Sequence, residues 1–214
     1  MASISSLSNN ILKVVDFSKV TSAEIASLTS AQISVLSTAQ TSAITTSAIS
    51  SISTAAIANL STAQMYALIT SQIAYLSTSQ AAALTSAQVN AIGATNIATM
   101  ETADIAALST AGVAGLSTAE MVALTTDQLV GLSTKQAAAL TSAQASAITG
   151  AKLATMETAD IAALSTAAVA ALTTAQVVAL TTDQVVGLST KQLVALTTTQ
   201  IAVLTTAQLD ALVS

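Results

Sequence analysis

Cysteine, histidine, arginine, tryptophan and proline are absent from this sequence, and aromatic side chains are limited to one Phe and two Tyr. Without Cys there is no disulfide framework. Without Cys or His there is no thiolate or imidazole metal site, and no Cys- or His-based catalysis. Five Lys stand against ten Asp and Glu, for a net charge of −5. Phosphate binding needs clustered cations and stacking aromatics, so nucleic acid is not an expected partner. Long apolar runs are missing too. Mean hydropathy is high at +0.73, but a spanning helix needs about 18–20 consecutive apolar residues. Here Ser, Thr or Gln intervenes every few positions, so no membrane span is expected. The opening MASISSLSNNILKVVDFSKV has no basic start and no long apolar stretch, unlike a cleaved signal peptide.

What the chain does contain is 62 Ser and Thr, 48 Ala and 61 Ile, Leu, Val and Met among 214 residues. That is enough aliphatic side chain to bury, which argues against a disordered tract. Starting at Ile4 and stepping by eight, all 27 positions to Leu212 are Ile, Leu, Val or Met. All 14 Gln fall four residues after such an anchor, from Gln32 to Gln208. The octad reads Leu-Ser/Thr-Thr-x-Gln-Φ-x-Ala, with Φ mostly aliphatic, as in Leu180 to Gly187.

One long helix does not account for a strict eight-residue step, because its apolar stripe would rotate by roughly 80° per octad. A simple strand fails as well, since anchor and Φ lie five apart and would face opposite sides. The octad fits a repeated helix start. Ser/Thr followed three residues later by Gln/Glu is a capping box, and the apolar residues flanking it form a hydrophobic staple. Of the 24 octads from Thr21 onward, 20 have Ser or Thr at the cap and 15 of these also have Gln or Glu at the third helical position. The Ala or Gly closing an octad (Ala179, Gly187, Ala195) is read as small because the chain turns tightly there.

The expected fold is an all-α solenoid of very short capped helices, one per octad. Helices this short are unstable alone, so they must stack to share a core. The alternative is a β-solenoid, favoured by the Thr, Val and Ile content. Residues 1–20 depart from the octad and read as an N-terminal cap, with 21–214 as the repeat array. AAALTSAQ at 81–88 recurs at 137–144, and METADIAALSTA at 100–111 recurs at 156–167. Both offsets are seven octads, giving blocks 44–99, 100–155 and 156–211 within one elongated domain.

At the block junctions Gly93 with Asn96, Glu101 with Asp104, Lys152, and Glu157 with Asp160 replace the usual residues. Paired carboxylates could hold a hard cation, but calcium usually takes six to eight oxygens. Acids also favour the first turn of a helix through its dipole, and that plainer account is preferred. Asp127 with Lys135, and Asp183 with Lys191, are read as surface ion pairs stacked in adjacent octads. Tyr66 and Tyr75 either anchor an interface or cover the wall. Serine is abundant, but nothing is placed to activate it. No catalytic, metal or cofactor-binding residue is expected, no cofactor is implied, and neither enzyme activity nor a small-molecule ligand is anticipated.

Thr or Ser fills the first helical position in 22 of 24 octads, an outward hydroxyl row that suits an uncharged coat or, alternatively, an ice-, glycan- or mineral-binding face. Position seven, which points outward, becomes Val at Val122, Val130, Val178, Val186 and Val194. With the near-consensus C-terminal anchors Leu204 and Leu212, these are the candidate self-association residues.

From about Val20 to Leu212 the octad resembles the L-[ST]-T-x-Q-Φ-x-A arrays found in very large secreted or surface proteins of Gram-negative bacteria. The resemblance implies an adhesin or matrix component exported without a cleaved N-terminal signal. Leu180 to Leu188 is also similar to the first helix of TAL-effector repeats, but the second helix, base-reading pair and basic residues of that family are missing here. The expected function is that of a structural, extracellular or cell-surface protein associating with itself into a filament, sheath or matrix layer. Failing export, the expected location is cytoplasmic.

Overall fold

The computed structural model describes residues 4–213, which form 25 α-helices of four to eight residues, two short 3-10 segments and no strand. From Ser22 onward there is one helix per octad, so the helical solenoid is correct and the β-solenoid is not. Local chemistry explains each helix. In Thr62–Ala67, the Ser61 hydroxyl accepts from the Gln64 N–H at 3.2 Å, and Gln64 Oε1 accepts from the Ser61 N–H at 2.8 Å. These bonds satisfy donors that every helix start leaves orphaned. All fifteen capping boxes expected from the sequence form. The corner between helices is two extended residues, the anchor and the next cap, as at Leu68 with φ −64° and ψ 131°.

The chain forms two compact units, one ending at Gly115 and the other starting at Leu116. In the first, helix Thr62–Ala67 packs against Thr38–Ala43 and Ser86–Ile92, which lie three octads before and after it in the chain. In the second, Thr166–Ala170 packs against Ser142–Ala147 and Thr190–Ala195 at the same spacing. Three octads therefore complete one coil, and every third helix stacks. The aliphatic pair lies inside: Φ residues such as Ile57, Ile73 and Ile161 are fully buried, and the anchors Leu60, Leu76 and Leu164 almost so. The first coil is irregular, with 3-10 segments Ile4–Ser6 and Phe17–Lys19 around helix Asn9–Leu12, but Leu12 and Phe17 are buried within it.

The three-octad coil corrects several expectations built on adjacent octads. Asp127 and Lys135 sit on neighbouring helices around a coil, not one above the other, and Asp183 and Lys191 do likewise. Neither pair forms an ion pair among the described residues. Among the described residues the ion pair is Asp16–Lys19, exposed, at 3.3 Å. The threonine row becomes three columns, one per stack. The valines are exposed but also divided: Val122 and Val194 share a stack with Ser146 and Ala170 between them, Val130 and Val178 belong to a second, and Val186 to a third. No continuous aliphatic row exists among the described residues.

The small residue closing the octad has a different cause from the one expected. Gly187 adopts ordinary helical angles, φ −67° and ψ −14°, so the turn does not require it. A Cβ there would lie 2.5 Å from Thr158 Cγ2 of the stacked helix. At Gly115 a Cβ would meet the Ser86 carbonyl oxygen at 2.7 Å. Smallness is imposed by the neighbouring coil. Gly93 is the exception: at φ 81° and ψ 156° it holds a conformation that essentially only glycine adopts, with open space where a Cβ would go.

Two outcomes follow for stability measured by urea unfolding. Gly187→Ala is expected to cost about 1–3 kcal/mol through overpacking. Thr158→Ser, which removes the clashing methyl, should recover most of that loss in the double variant. Gly93→Ala should cost about 1–3 kcal/mol through the backbone alone, with no neighbouring substitution that rescues it.

Candidate functional site: the glutamine ladder and its interruptions

The capping box employs only one end of each glutamine. The other end does what the sequence reading missed. Gln64 Nε2 donates to the carbonyl oxygens of Ile33 and Leu36, both at 2.9 Å, in the coil below. Gln80 repeats this on Ile49 and Ile52, Gln88 on Ile57 and Leu60, and Gln208 on Val177 and Leu180, always at the same two spacings along the chain. One amide thus fastens its own helix start through Oε1 and the helix end of the coil below through Nε2. Thirteen of the 14 Gln are buried, and no buried side-chain polar atom lacks a partner among the described residues. A signal for this was present in the sequence. A capping box accepts Gln or Glu equally well, yet that position carries 14 Gln and only Glu24 and Glu120. The excess of amide over carboxylate is the trace of a second, donating role.

At this position the first three octads carry Ser8, Asp16 and Glu24, and Gln begins at Gln32. Gln32 Nε2 reaches the carbonyls of Ser5 and Leu7, and Gln40 Nε2 those of Leu12 and Val15. Glu24 caps Thr21 with no amide to offer a coil beneath. The Thr21 N–H and hydroxyl hold its carboxyl below the usual range.

The ladder breaks in three places. At the start of the first block the Gln position holds Ala48 and Ala56; across the two block junctions it holds Asn96, Asp104, Gly112 and Glu120, and then Lys152, Asp160 and Ala168. The last two breaks are closed by other bonds. Lys152 Nζ takes the amide's place and donates to the Val122 and Leu124 carbonyls at 2.9 and 2.5 Å. At Asn96, Asp104 and Asp160 the direction reverses, and a lower-coil hydroxyl donates upward: Thr70 to Asn96 Oδ1 at 2.8 Å, Thr78 to Asp104 Oδ1 at 2.9 Å, Thr134 to Asp160 Oδ1 at 2.8 Å. At Gly112 the stacked helices Ser86–Ile92 and Thr110–Gly115 approach closely, and Ser86 and Asn90 donate to the Ala111 and Gly115 carbonyls.

Three surface depressions lie in the first unit. One of about 630 Å³ lies beside Tyr66 with Thr38, Thr62 and Ala91. A smaller one, about 330 Å³, is lined by Tyr66 together with Gly93 and Asn96. A third, about 520 Å³, is bounded by Tyr75, the chain from Leu76 to Thr78, and the carboxylates of Glu101 and Asp104. Tyr66 and Tyr75 are exposed and stand out from the wall. Glu101 occupies the cap position before helix Thr102–Ala107 without making a cap bond. Asp104 is buried, and desolvation pushes its carboxyl above the usual range against the Thr78 hydrogen bond, with Glu101 adding repulsion. No group of three or more acidic side chains able to hold a metal occurs among the described residues. The candidate self-association residues are not gathered: the valines are dispersed as described, and Leu204 and Leu212 are half-buried in the last coil.

Replacing Gln64 by Ala strands two carbonyls and the Ser61 N–H, so a loss of about 3 kcal/mol is expected in chemical unfolding. Gln64→Glu should lose more near neutral pH, where a carboxylate faces the two carbonyls, and regain part of it in acid. Asp104→Asn tests the reverse polarity. A raised carboxyl pKa means the wild type is relatively most stable below its unfolded value of 3.8 and loses that contribution as pH rises through the folded value. The variant keeps the Thr78 acceptor, as Asn96 does for Thr70. Its melting temperature should therefore exceed the wild type's at pH 7, with the gap closing as pH falls below the unfolded value.

No helix is long and apolar enough to cross a membrane among the described residues. No curated protein matches the chain. Residues 97–134, 153–190 and 186–214 match the family model of the ALTTAQ repeat. Over these stretches the chain is similar to the ALTTAQ repeat, consistent with the octapeptide array read from its sequence.

Proposed function

We propose that this is a non-enzymatic structural protein of the cell surface or extracellular space that associates with copies of itself. The observation that supports it is the use made of the polar side chains. Gln amides, Ser and Thr caps and inter-coil hydroxyls are occupied in holding helices and coils together. What faces outward is largely hydroxyl, alanine and scattered aliphatic side chain, and where hydroxyls bond carboxylates, as Thr21 does Glu24 and Ser117 does Glu120, the pair is engaged in capping a helix. The fit is to a building element whose output is its own stacked shape.

Association is proposed at the last coil of the second unit. The dispersed valines offer no patch, whereas Ile201, Leu209 and Val213 are exposed beside the half-buried Leu204 and Leu212. Exposed aliphatic side chains of this kind favour contact with others like them. The proposed association is the pairing of two such faces from like copies.

Light scattering and electron microscopy over a concentration series test this. Paired particles are expected at high concentration, and Ile201→Glu with Leu209→Glu should weaken association at least tenfold, about 1.4 kcal/mol, while Val122→Ser leaves it unchanged. Monomers at every concentration would sink the self-association reading.

A further inference from the structure

We infer that the pocket at the Glu101–Asp104 corner receives a lysine side chain from a protein partner, its ammonium group taking the place that a glutamine amide holds at the regular corners. The inference is independent of the self-association face, which lies in the other unit.

The argument begins with the ladder. At regular corners, N–H donors are delivered to the anchor carbonyl of the coil below, as Gln80 does to Ile52 and Gln88 to Leu60. For position 104 the matching anchor is Leu76, and Asp104 has no amide to deliver. Its side chain is also one methylene shorter than that of Gln. The consequence is a pocket of about 520 Å³ bounded by Leu76, Ser77 and Thr78 below and Glu101 and Asp104 above.

A second observation identifies the chemistry that fits. At another ladder break the Gln position holds Lys152, and its Nζ lies against the carbonyl of the matching anchor, Leu124, and against that of Val122. The corner geometry therefore accepts an ammonium group on an alkyl stem, and does so within this chain. The Asp104 corner keeps that backbone and adds two carboxylates, which a cationic donor complements and an amide does not. Tyr75, more than half exposed at 58%, supplies a ring at the rim for the stem and for cation–π attraction. Thr78 donates to Asp104 Oδ1 and the Glu101 N–H also bonds this carboxylate, so the negative charge that an ammonium group complements is held in place at the corner. Arginine fits less well, because a planar guanidinium is broader than the single nitrogen that Lys152 places at its corner.

The chain holds an internal comparison. Glu157, Asp160 and Thr134 repeat Glu101, Asp104 and Thr78 one block later, and Thr134 bonds Asp160 in the same way. Tyr75 is replaced there by Gly131, so that corner lacks the aromatic wall and should bind at least several-fold more weakly.

The experiment is a titration of the full chain, labelled with nitrogen-15, with Nα-acetyl-lysine N-methylamide, followed by amide chemical shifts. Saturable shifts are expected at 76–78 and 101–104 in the millimolar range, with smaller ones at 132–134 and 157–160. The norleucine analogue, identical but for the ammonium, should leave them unmoved. Asp104→Gln is the decisive variant. It should stay folded, as the other Gln corners do, fill the pocket with its own amide, and weaken binding at least tenfold. Tyr75→Ala should weaken it several-fold. Equal shifts with the norleucine analogue, unchanged binding in folded Asp104→Gln, or preferential binding of calcium chloride at 101–104 would each overturn the assignment.

Discussion

Everything in this molecule depends on one side-chain amide having two ends of opposite polarity. The glutamine oxygen accepts from the N–H that opens its own helix, and the glutamine nitrogen donates to carbonyls that close a helix one coil below. Helix ends are where a short-helix protein is weakest, because four N–H and four C=O groups lack intrahelical partners at each helix. In helices this short nearly every backbone group is an end group. Buried, unpaired groups would cost about 1–3 kcal/mol apiece. A residue that meets both kinds of orphan at once is what makes such a chain feasible. Glutamate performs half the task, and asparagine is too short to span it.

The same constraint explains the other recurrent residues. The aliphatic pair provides the core, but the distance between coils is set by the amide and by the small residues that let helices approach. Gly115 and Gly187 are compact because a neighbouring helix occupies the space of their Cβ. The ladder breaks show how far the scheme can bend. An ammonium group can replace the amide, as at Lys152, or the bond can be reversed with a threonine hydroxyl donating to a shorter acceptor, as at Asn96, Asp104 and Asp160. Each solution keeps the stack and changes the local electrostatics. It is at a break, and not along the regular ladder, that buried carboxylate, exposed ring and pocket coincide.

Much of this was legible before any coordinates. The anchor at every eighth residue specified the buried stripe, and Ser/Thr with Gln three residues later specified where each helix begins; all fifteen such boxes formed. These are local facts, decided within a single octad. What the octad could not reveal was which octads touch. Reading neighbours along the chain as neighbours in space led to an Asp127–Lys135 pair, a single threonine row and a single valine row, and none of these survives a coil of three.

The sequence by itself determined the secondary structure and the core residues, because capping and burial act on adjacent residues whose chemistry is written in one octad. Only the tertiary structure decided the number of octads per coil, and through it the partner of every glutamine nitrogen, the reason Gly115 and Gly187 are small, and the meaning of the block junctions. The physical reason is that an eight-residue corner is compatible with more than one closure. The choice among closures is made by contacts between octads three and four steps apart along the chain, where a buried amide finds a carbonyl within hydrogen-bonding distance or finds none.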